Sequence, residues 1–426
     1  MTEPAAPTHG MPLHAAPPFS TDATGALLLG GQTAVSLAAR HGTPLYVVDS
    51  AAVRTRVASV RALLPEGIRL HYAIKANPLP ELLRLLATQV DGFDIASGGE
   101  LALALDAGHR GSHLGFAGPG KRDAELAAAI DAGAVIHVES AGELARLAAL
   151  ARTAGQSARA ALRINPDFEL RRAGMRMGGG AQVFGIDAEK VPAVLAAWPA
   201  NLTFAGFHIY AGSQNLDGGQ VAEALRRSHA LCTELAAWAP VADARLVAQA
   251  TPLRVFNLGG GFGIPYFAGE QPLDTAPVRA ALADIARDHA ARFPETVLVL
   301  ELGRYLVGEA GVFLTQVIDR KRSRGRDFLV CDGGMHQHLA ASGNFGQVIR
   351  RDYPVWLARD MAARGDTTFT VCGPLCTPLD VLAREVMLPA DVGPGDILAI
   401  GQSGAYGASA SPAGFLSHPP AGQLLV

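Results

Sequence analysis

His71-Tyr72-Ala73-Ile74-Lys75-Ala76-Asn77-Pro78 sets one lysine at the end of a run that reads as a buried β-strand, just where the chain turns toward a helix. A lysine at the carboxyl end of an inward-facing strand is costly unless it is paired or used covalently. The commonest covalent use is a Schiff base with a carbonyl cofactor, which calls for a neutral amine and so for a depressed pKa. Taken alone, the run favours a structural lysine that snorkels to the surface.

Outward from this stretch, strand-like runs recur at 45–48, 68–74, 92–95, 113–116, 135–138, 160–164, 203–209, 253–258 and 297–300. Helix-like stretches lie between them, among them 51–63, 99–107, 142–154 and 219–237. Alternation sustained over this length predicts parallel strands, and eight or nine units predict a closed (β/α)8 barrel, with a doubly wound open sheet as the alternative from pattern alone. Lys75, Asp94, Arg163, His208, Gly259, Gly260, Gly261 and Glu301 all fall at or just beyond the carboxyl ends of these runs. Barrel active sites are built on that face. Beyond residue 311 the helical pattern fades, and strand-like 313–318, 327–331, 368–372 and 396–400 predict a mainly β domain.

A chain of 426 residues suits two domains, and 49% hydrophobic with 18% charged residues fits a large core. The expected parse is a disordered Pro- and Ala-rich tail at 1–20, a segment at 21–44 packing on the C-terminal domain, a barrel at 45–310 and a β domain at 311–426. Thirty-six basic against 39 acidic residues leave a net charge of −3, which offers no electrostatic footprint for nucleic acid or an anionic membrane. No apolar run reaches the length of a membrane span. Cys232, Cys331, Cys372 and Cys376 show neither metal-ligand spacing nor a secretory context, so no metal is expected and reduced thiols in a cytoplasm are.

Further motifs stand in fixed order. Leu258-Gly259-Gly260-Gly261-Phe262-Gly263 follows one strand-like run, and Glu301-Leu302-Gly303-Arg304 closes another. Cys372-Gly373-Pro374-Leu375-Cys376-Thr377-Pro378-Leu379-Asp380 and Gly404-Ala405-Tyr406-Gly407 come later. A glycine run lets backbone N–H groups approach an anion closely, although a bare glycine turn needs no ligand. With the lysine stretch, this set resembles the fold-type III pyridoxal-phosphate decarboxylases, the ornithine and diaminopimelate decarboxylase family, from about residue 40 to about 410.

The resemblance implies an alanine-racemase-like barrel, a β domain and pyridoxal 5'-phosphate as cofactor. It implies Lys75 as the aldimine-forming amine, with decarboxylation through a quinonoid carbanion that is then protonated. Glu301 would pair with the pyridine nitrogen, and Gly259, Gly260, Gly261, Arg304, Ser213 and Tyr406 would contact the phosphate. Asp94 and Arg163 match residues that support the cofactor, though either suits a structural ion pair. Cys376 matches a cysteine that enters the neighbouring subunit's site and assists protonation, which implies a homodimer with shared sites. Thr377 and Asp380, on the same segment, would face the substrate.

Two departures bear on specificity. The family histidine that stacks on the cofactor is replaced by Tyr210, while His208 lies two residues earlier on the same strand face. Either of the two suits the stacking role. The acidic residue that follows the cysteine in the ornithine and diaminopimelate enzymes, and binds a distal amine, is Thr377 here, followed by Pro378. His336 and His338 occupy the place of another substrate-binding segment and read as exposed loop histidines. These variants most closely resemble the pyridoxal-phosphate decarboxylases associated with exosortase systems, and they imply an amino acid or a carrier-linked conjugate larger or less cationic than a lysine precursor. A racemase of the same barrel type is the first rival, but such racemases usually pair the pyridine nitrogen with arginine, so Glu301 favours decarboxylation. The second is a non-catalytic regulator, against which the presence of both Lys75 and Cys376 speaks.

Overall fold

The computed structural model describes residues 14–168, 175–176, 178–238, 254–347, 350–363 and 365–426. Eight strands, Ile68–Ala73, Gly92–Ile95, Leu114–Phe116, Val135–Val138, Ala158–Asn165, Leu202–Ile209, Arg254–Gly260 and Thr296–Leu302, pair parallel in chain order. The last pairs with the first from Leu298↔Ile68 to Leu302↔Tyr72, so the sheet closes into a barrel. Period-two alternation explains the first strand: Leu70 and Tyr72 are fully buried in the core with the helices, while Arg69 and His71 line a small cavity in the lumen. Side-chain caps mark several helix starts. Asp49, Ser97 and Ser140 accept from the backbone N–H groups of Ala52, Glu100 and Glu143 at 2.9, 3.2 and 3.0 Å, each worth about 1 kcal/mol.

One expected barrel strand belongs elsewhere. Leu45–Val48 pairs antiparallel with Gly311–Leu314 and parallel with Gly422–Leu425, in the C-terminal sheet. The barrel therefore begins at Ile68, not at residue 45. Residues 1–13 of the expected tail and Leu253 lie outside the described residues, and Ser20 already forms a short strand with Thr21. The segment after it packs on the C-terminal sheet: Leu27, Leu29, Ala34 and Leu37 share a core with Val312, Leu314, Ile397 and Ala399.

Gly311–Ser323 is the spine of that sheet, bonded to Leu45–Val48 and Ile397–Ile400 at one end and to Arg326–Cys331 at the other. Arg326–Cys331 pairs with Thr367–Cys372, which pairs with Val381–Leu388. The two domains meet where the lysine stretch ends. Tyr406 N–H donates to the Ala76 carbonyl at 2.8 Å, and Asn77 Nδ2 donates to the Gly404 carbonyl at 2.9 Å.

Candidate active site

Strand register brings the polar residues level at the carboxyl end of the barrel. Glu301 lies beside His71 and Gly260, His208 beside Arg163 and Asn257, and Asp94 beside Ala73. Lys75 follows in a single 3-10 turn, Ile74–Ala76, exposed between two fully buried neighbours. It is crowded by protein yet open to solvent, as the floor of a concave mouth is. Its Nζ sits 5.2 Å from the Tyr210 ring centroid. Enclosure disfavours the charged amine, but the Glu301 carboxylate, aided by the Tyr406 and Tyr210 hydroxyls, outweighs it and raises the Lys75 pKa above the ordinary lysine value. The Schiff-base use calls for a depressed pKa, whereas the free amine beside Glu301 is shifted upward.

Glu301 is buried and contacts His208, Oε2 to Nε2, at 3.2 Å. Burial opposes its charge, yet the His208 hydrogen bond and the positive charges of Lys75 and Arg163 hold the carboxyl down to about 2. Asp94 goes the other way: burial, then the nearby Glu301, raise its pKa. Two buried carboxylates in one chamber are so driven apart, and Glu301 is the ionised one. Asp94 Oδ2 touches His71 Nδ1 at 3.2 Å, while its Oδ1 is buried without a hydrogen bond. His137 packs 4.4 Å from the His208 ring, and burial with the surrounding cations keeps it neutral.

Arg163 pairs with Glu139 at 2.8 Å and lies 4.7 Å from the Phe184 ring. Asp94 and Arg163 thus have separate buried partners, His71 and Glu139.

A further cation lies on the Tyr406 ring, which also faces Lys75. Arg304 Nη1 donates to the Tyr266 hydroxyl at 2.7 Å and the guanidinium stacks 4.6 Å from the Tyr406 ring. Its Nε is buried without a hydrogen bond, and among the described residues no carboxylate pairs with it. The glycine run beside Tyr210 and Glu301 is obligatory. Gly259 and Gly261 have φ of +70° and +76°, and a Cβ on Gly260 would fall 2.2 Å from the Glu301 carbonyl oxygen. Ser213 lies on a two-residue strand paired with Met175, and Tyr210 hydrogen-bonds it.

Cys376 and Thr377 sit in the other domain, on the turn between Thr367–Cys372 and Val381–Leu388. Cys376 is exposed, and so are Leu379 at 54% and Phe345 at 46%. Asn344 Nδ2 ties the two loops by donating to the Leu379 carbonyl at 3.3 Å. Asp380 is buried and accepts from Met335 N–H at 2.6 Å and Leu375 N–H at 2.8 Å. Its role within this chain is to hold the loops that carry Thr377 and His336. The two histidines read as exposed are instead fully buried. His338 bonds Ser403 Oγ at 2.8 Å between the rings of Tyr46, Phe313 and Tyr353. His336 packs 5.0 Å from His418. The segment folds back under the sheet because Gly334 turns tightly over the Asp380 carboxylate.

Several residues of the chamber carried no flag in the sequence: His71, His137, Glu139 and Tyr266. The signal for the first three was available, since each is a polar residue in or just after a strand-like run; Tyr266 lies in an irregular loop and offered none.

Residues 50–308 match the family model for the pyridoxal-binding domain of pyridoxal-dependent decarboxylases. The chain is 36% identical over 397 residues to the L-glutamyl-[BtrI acyl-carrier protein] decarboxylase of Niallia circulans, covering 92% of this chain and 90% of that one. It is 32% identical over 389 residues to the 2-[(L-alanin-3-ylcarbamoyl)methyl]-2-hydroxybutanedioate decarboxylase of Staphylococcus aureus, covering 89% and 93%. The solved diaminopimelate decarboxylase of M. jannaschii in complex with L-lysine superposes with a TM-score of 0.79 at 26% identity, over 96% of this chain and 92% of that one.

Proposed function

This chain belongs to the pyridoxal-dependent decarboxylases and is a carboxy-lyase of an amino acid or amino-acid conjugate; from that premise we propose that its substrate is tethered to a carrier and that Lys75 holds the cofactor. The observation that carries the site is its sorted charge. One accessible lysine feels both an ionised, buried Glu301 and Tyr406, and the Tyr406 ring is stacked by an Arg304 that pairs with no carboxylate among the described residues. A cofactor with a basic ring nitrogen at one end and a phosphate at the other fits that order.

When bound, pyridoxal phosphate supplies the electron sink that accepts the pair left by departing carbon dioxide. Lys75 supplies the amine that holds it. Glu301, oriented by His208, keeps a proton at the ring nitrogen. Arg304, Tyr406, Ser213 and the Gly259, Gly260, Gly261 run bind the phosphate. His208 is engaged with Glu301, so Tyr210, which faces Lys75, covers the ring. Asp94 and Arg163 shape the field around Glu301 from their own pairs.

Cys376 lies on an exposed turn beside exposed Leu379 and Phe345, an apolar face suited to a second copy of the chain. That supports a homodimer in which Cys376 and Thr377 complete the partner's site. Thr377 offers a hydroxyl where a distal ammonium would need an anion. A glutamyl group can lose its α-carboxylate only if it is tethered through the side-chain carboxyl, and the tether leaves a neutral distal end that needs no counter-charge. The four free cysteines suit a reducing compartment such as the cytoplasm, and no helix among the described residues is long and apolar enough to cross a membrane. Carbon dioxide release from L-glutamyl thioesters, compared with free L-glutamate, L-lysine and L-ornithine, tests the reading. Turnover confined to the free diamino acids would overturn it.

A further inference from the structure

The hairpin joining Gly311–Ser323 to Arg326–Cys331 has no part in the chemistry above, yet it gathers charge. Residues 319–327 hold five basic side chains, Arg320, Lys321, Arg322, Arg324 and Arg326, against two acidic ones, Asp319 and Asp327. The local balance is +3 on a chain whose net charge is −3. A surface kept soluble by charge alone would intersperse the signs.

The tip is rigid. Arg322 pairs with Asp327 and Ser323 with Arg326 in an antiparallel ladder. The two residues between them, Arg324 and Gly325, have φ of +49° and +83°, the left-handed pair of a tight hairpin turn. Arg320 is used by the fold: it donates to the Val392 carbonyl at 3.0 Å and lies 4.9 Å from the Phe369 ring. Asp327 lies 3.7 Å from Arg322 and 3.9 Å from Arg320, too far for a direct hydrogen bond. Lys321, Arg324 and Arg326 are exposed and have no ion-pair partner among the described residues.

The hairpin is joined through one strand to the loop that carries Thr377. From Arg326 to Cys331 is five residue steps, roughly 17 Å at strand rise. At that far end Val330 is in register with Cys372, where the loop carrying Cys376 and Thr377 begins. A cationic tip and the loop that would meet the substrate's distal end thus occupy the two ends of one strand unit.

We propose that this hairpin is the docking point for a small acidic carrier domain, which delivers the tethered amino acid toward the Thr377 loop. The proposal rests on the carrier-linked reading and adds to it a surface and a partner chemistry. Complementary charge across a rim acts mainly on encounter, so the effect belongs in kcat/KM and weakens with salt.

The test compares an L-glutamyl thioester carried by an acyl-carrier protein with the same thioester on pantetheine. In the triple variant Lys321→Glu/Arg324→Asp/Arg326→Glu, kcat/KM for the carrier-linked substrate should fall on the order of tenfold to a hundredfold, with the pantetheine substrate unchanged. In the unmodified enzyme the carrier-linked rate should fall as salt rises, and the pantetheine rate should not. Should the triple variant misfold, Arg324→Asn alone must show a smaller loss in the same direction. A preference for the carrier-linked substrate that survives the triple variant, or is indifferent to salt, overturns the docking site and leaves the carrier reading standing. An unmodified enzyme that decarboxylates free conjugates but neither thioester overturns the carrier reading itself.

Discussion

Replacing Glu301 with Gln keeps the shape of the side chain and removes its charge. The buried carboxylate is held by His208 at 3.2 Å and is the main group raising the Lys75 pKa. A hydrogen bond to a charged partner is worth about 1.5–3 kcal/mol, which corresponds to roughly a tenfold to a hundred-and-fiftyfold change in rate if the interaction matters chiefly in the transition state. The amide introduced by Glu301→Gln still offers an acceptor oxygen to His208, so fold and cofactor occupancy should change little. The expected signature is a fall of that size in single-turnover carbon dioxide release at saturating substrate, with an unaltered circular dichroism spectrum and normal cofactor content. The Lys75 pKa should also drop, because burial is then opposed by less negative charge. Turnover within about twofold of the unmodified enzyme would refute the assignment of Glu301 as the partner of the ring nitrogen.

Cys376→Ala and Lys75→Ala chains should each be nearly inactive, and mixtures that exchange subunits should regain part of the activity; no recovery with exchange confirmed would put Cys376 outside a shared site. L-ornithine, L-lysine and meso-diaminopimelate should be poor substrates, and kcat/KM of about 10⁴ M⁻¹s⁻¹ or more for any of them would show that another residue performs the missing acidic role. His338 is wholly buried, and burial pulls its pKa down to about 3. The unfolded chain then binds more protons between about pH 3 and 6.5, so this histidine makes stability rise with pH across that window and contributes in full above it. In His338→Gln that slope should flatten, as measured by urea midpoints between about pH 4 and 7; an identical slope would locate the acid sensitivity elsewhere.

Eight strands of the barrel were legible because each is a largely apolar run followed by a helical or turn segment, three of the helices starting at a side-chain cap, Ser97, Ser140 and Asp217. Leu45–Val48 misled for a plain reason. Leu-Tyr-Val-Val looks the same in any buried sheet, and its partners, Gly311–Leu314 and Gly422–Leu425, lie hundreds of residues downstream. Val381–Leu388 went unflagged since Arg384 and Glu385 break its apolar pattern on an exposed face. At the site, Lys75, His208, Glu301 and Arg304 were legible as polar groups at strand ends. What could not be read was who faces whom: that Glu301 raises rather than spares the lysine charge, that Asp380 is committed to backbone N–H groups, and that His336 and His338 are inside. Loop polarity predicts exposure only when the loop does not fold back, and the Gly334 turn over Asp380 is a tertiary event.

The claim on which the rest depends is that Lys75 holds the cofactor. Enzyme loaded with pyridoxal phosphate, reduced with borohydride and digested, should yield the pyridoxyl group on the peptide containing Lys75, with the visible absorbance lost on reduction. A pyridoxyl group on Lys121, Lys190 or Lys321 instead, or none on any lysine, would contradict the account.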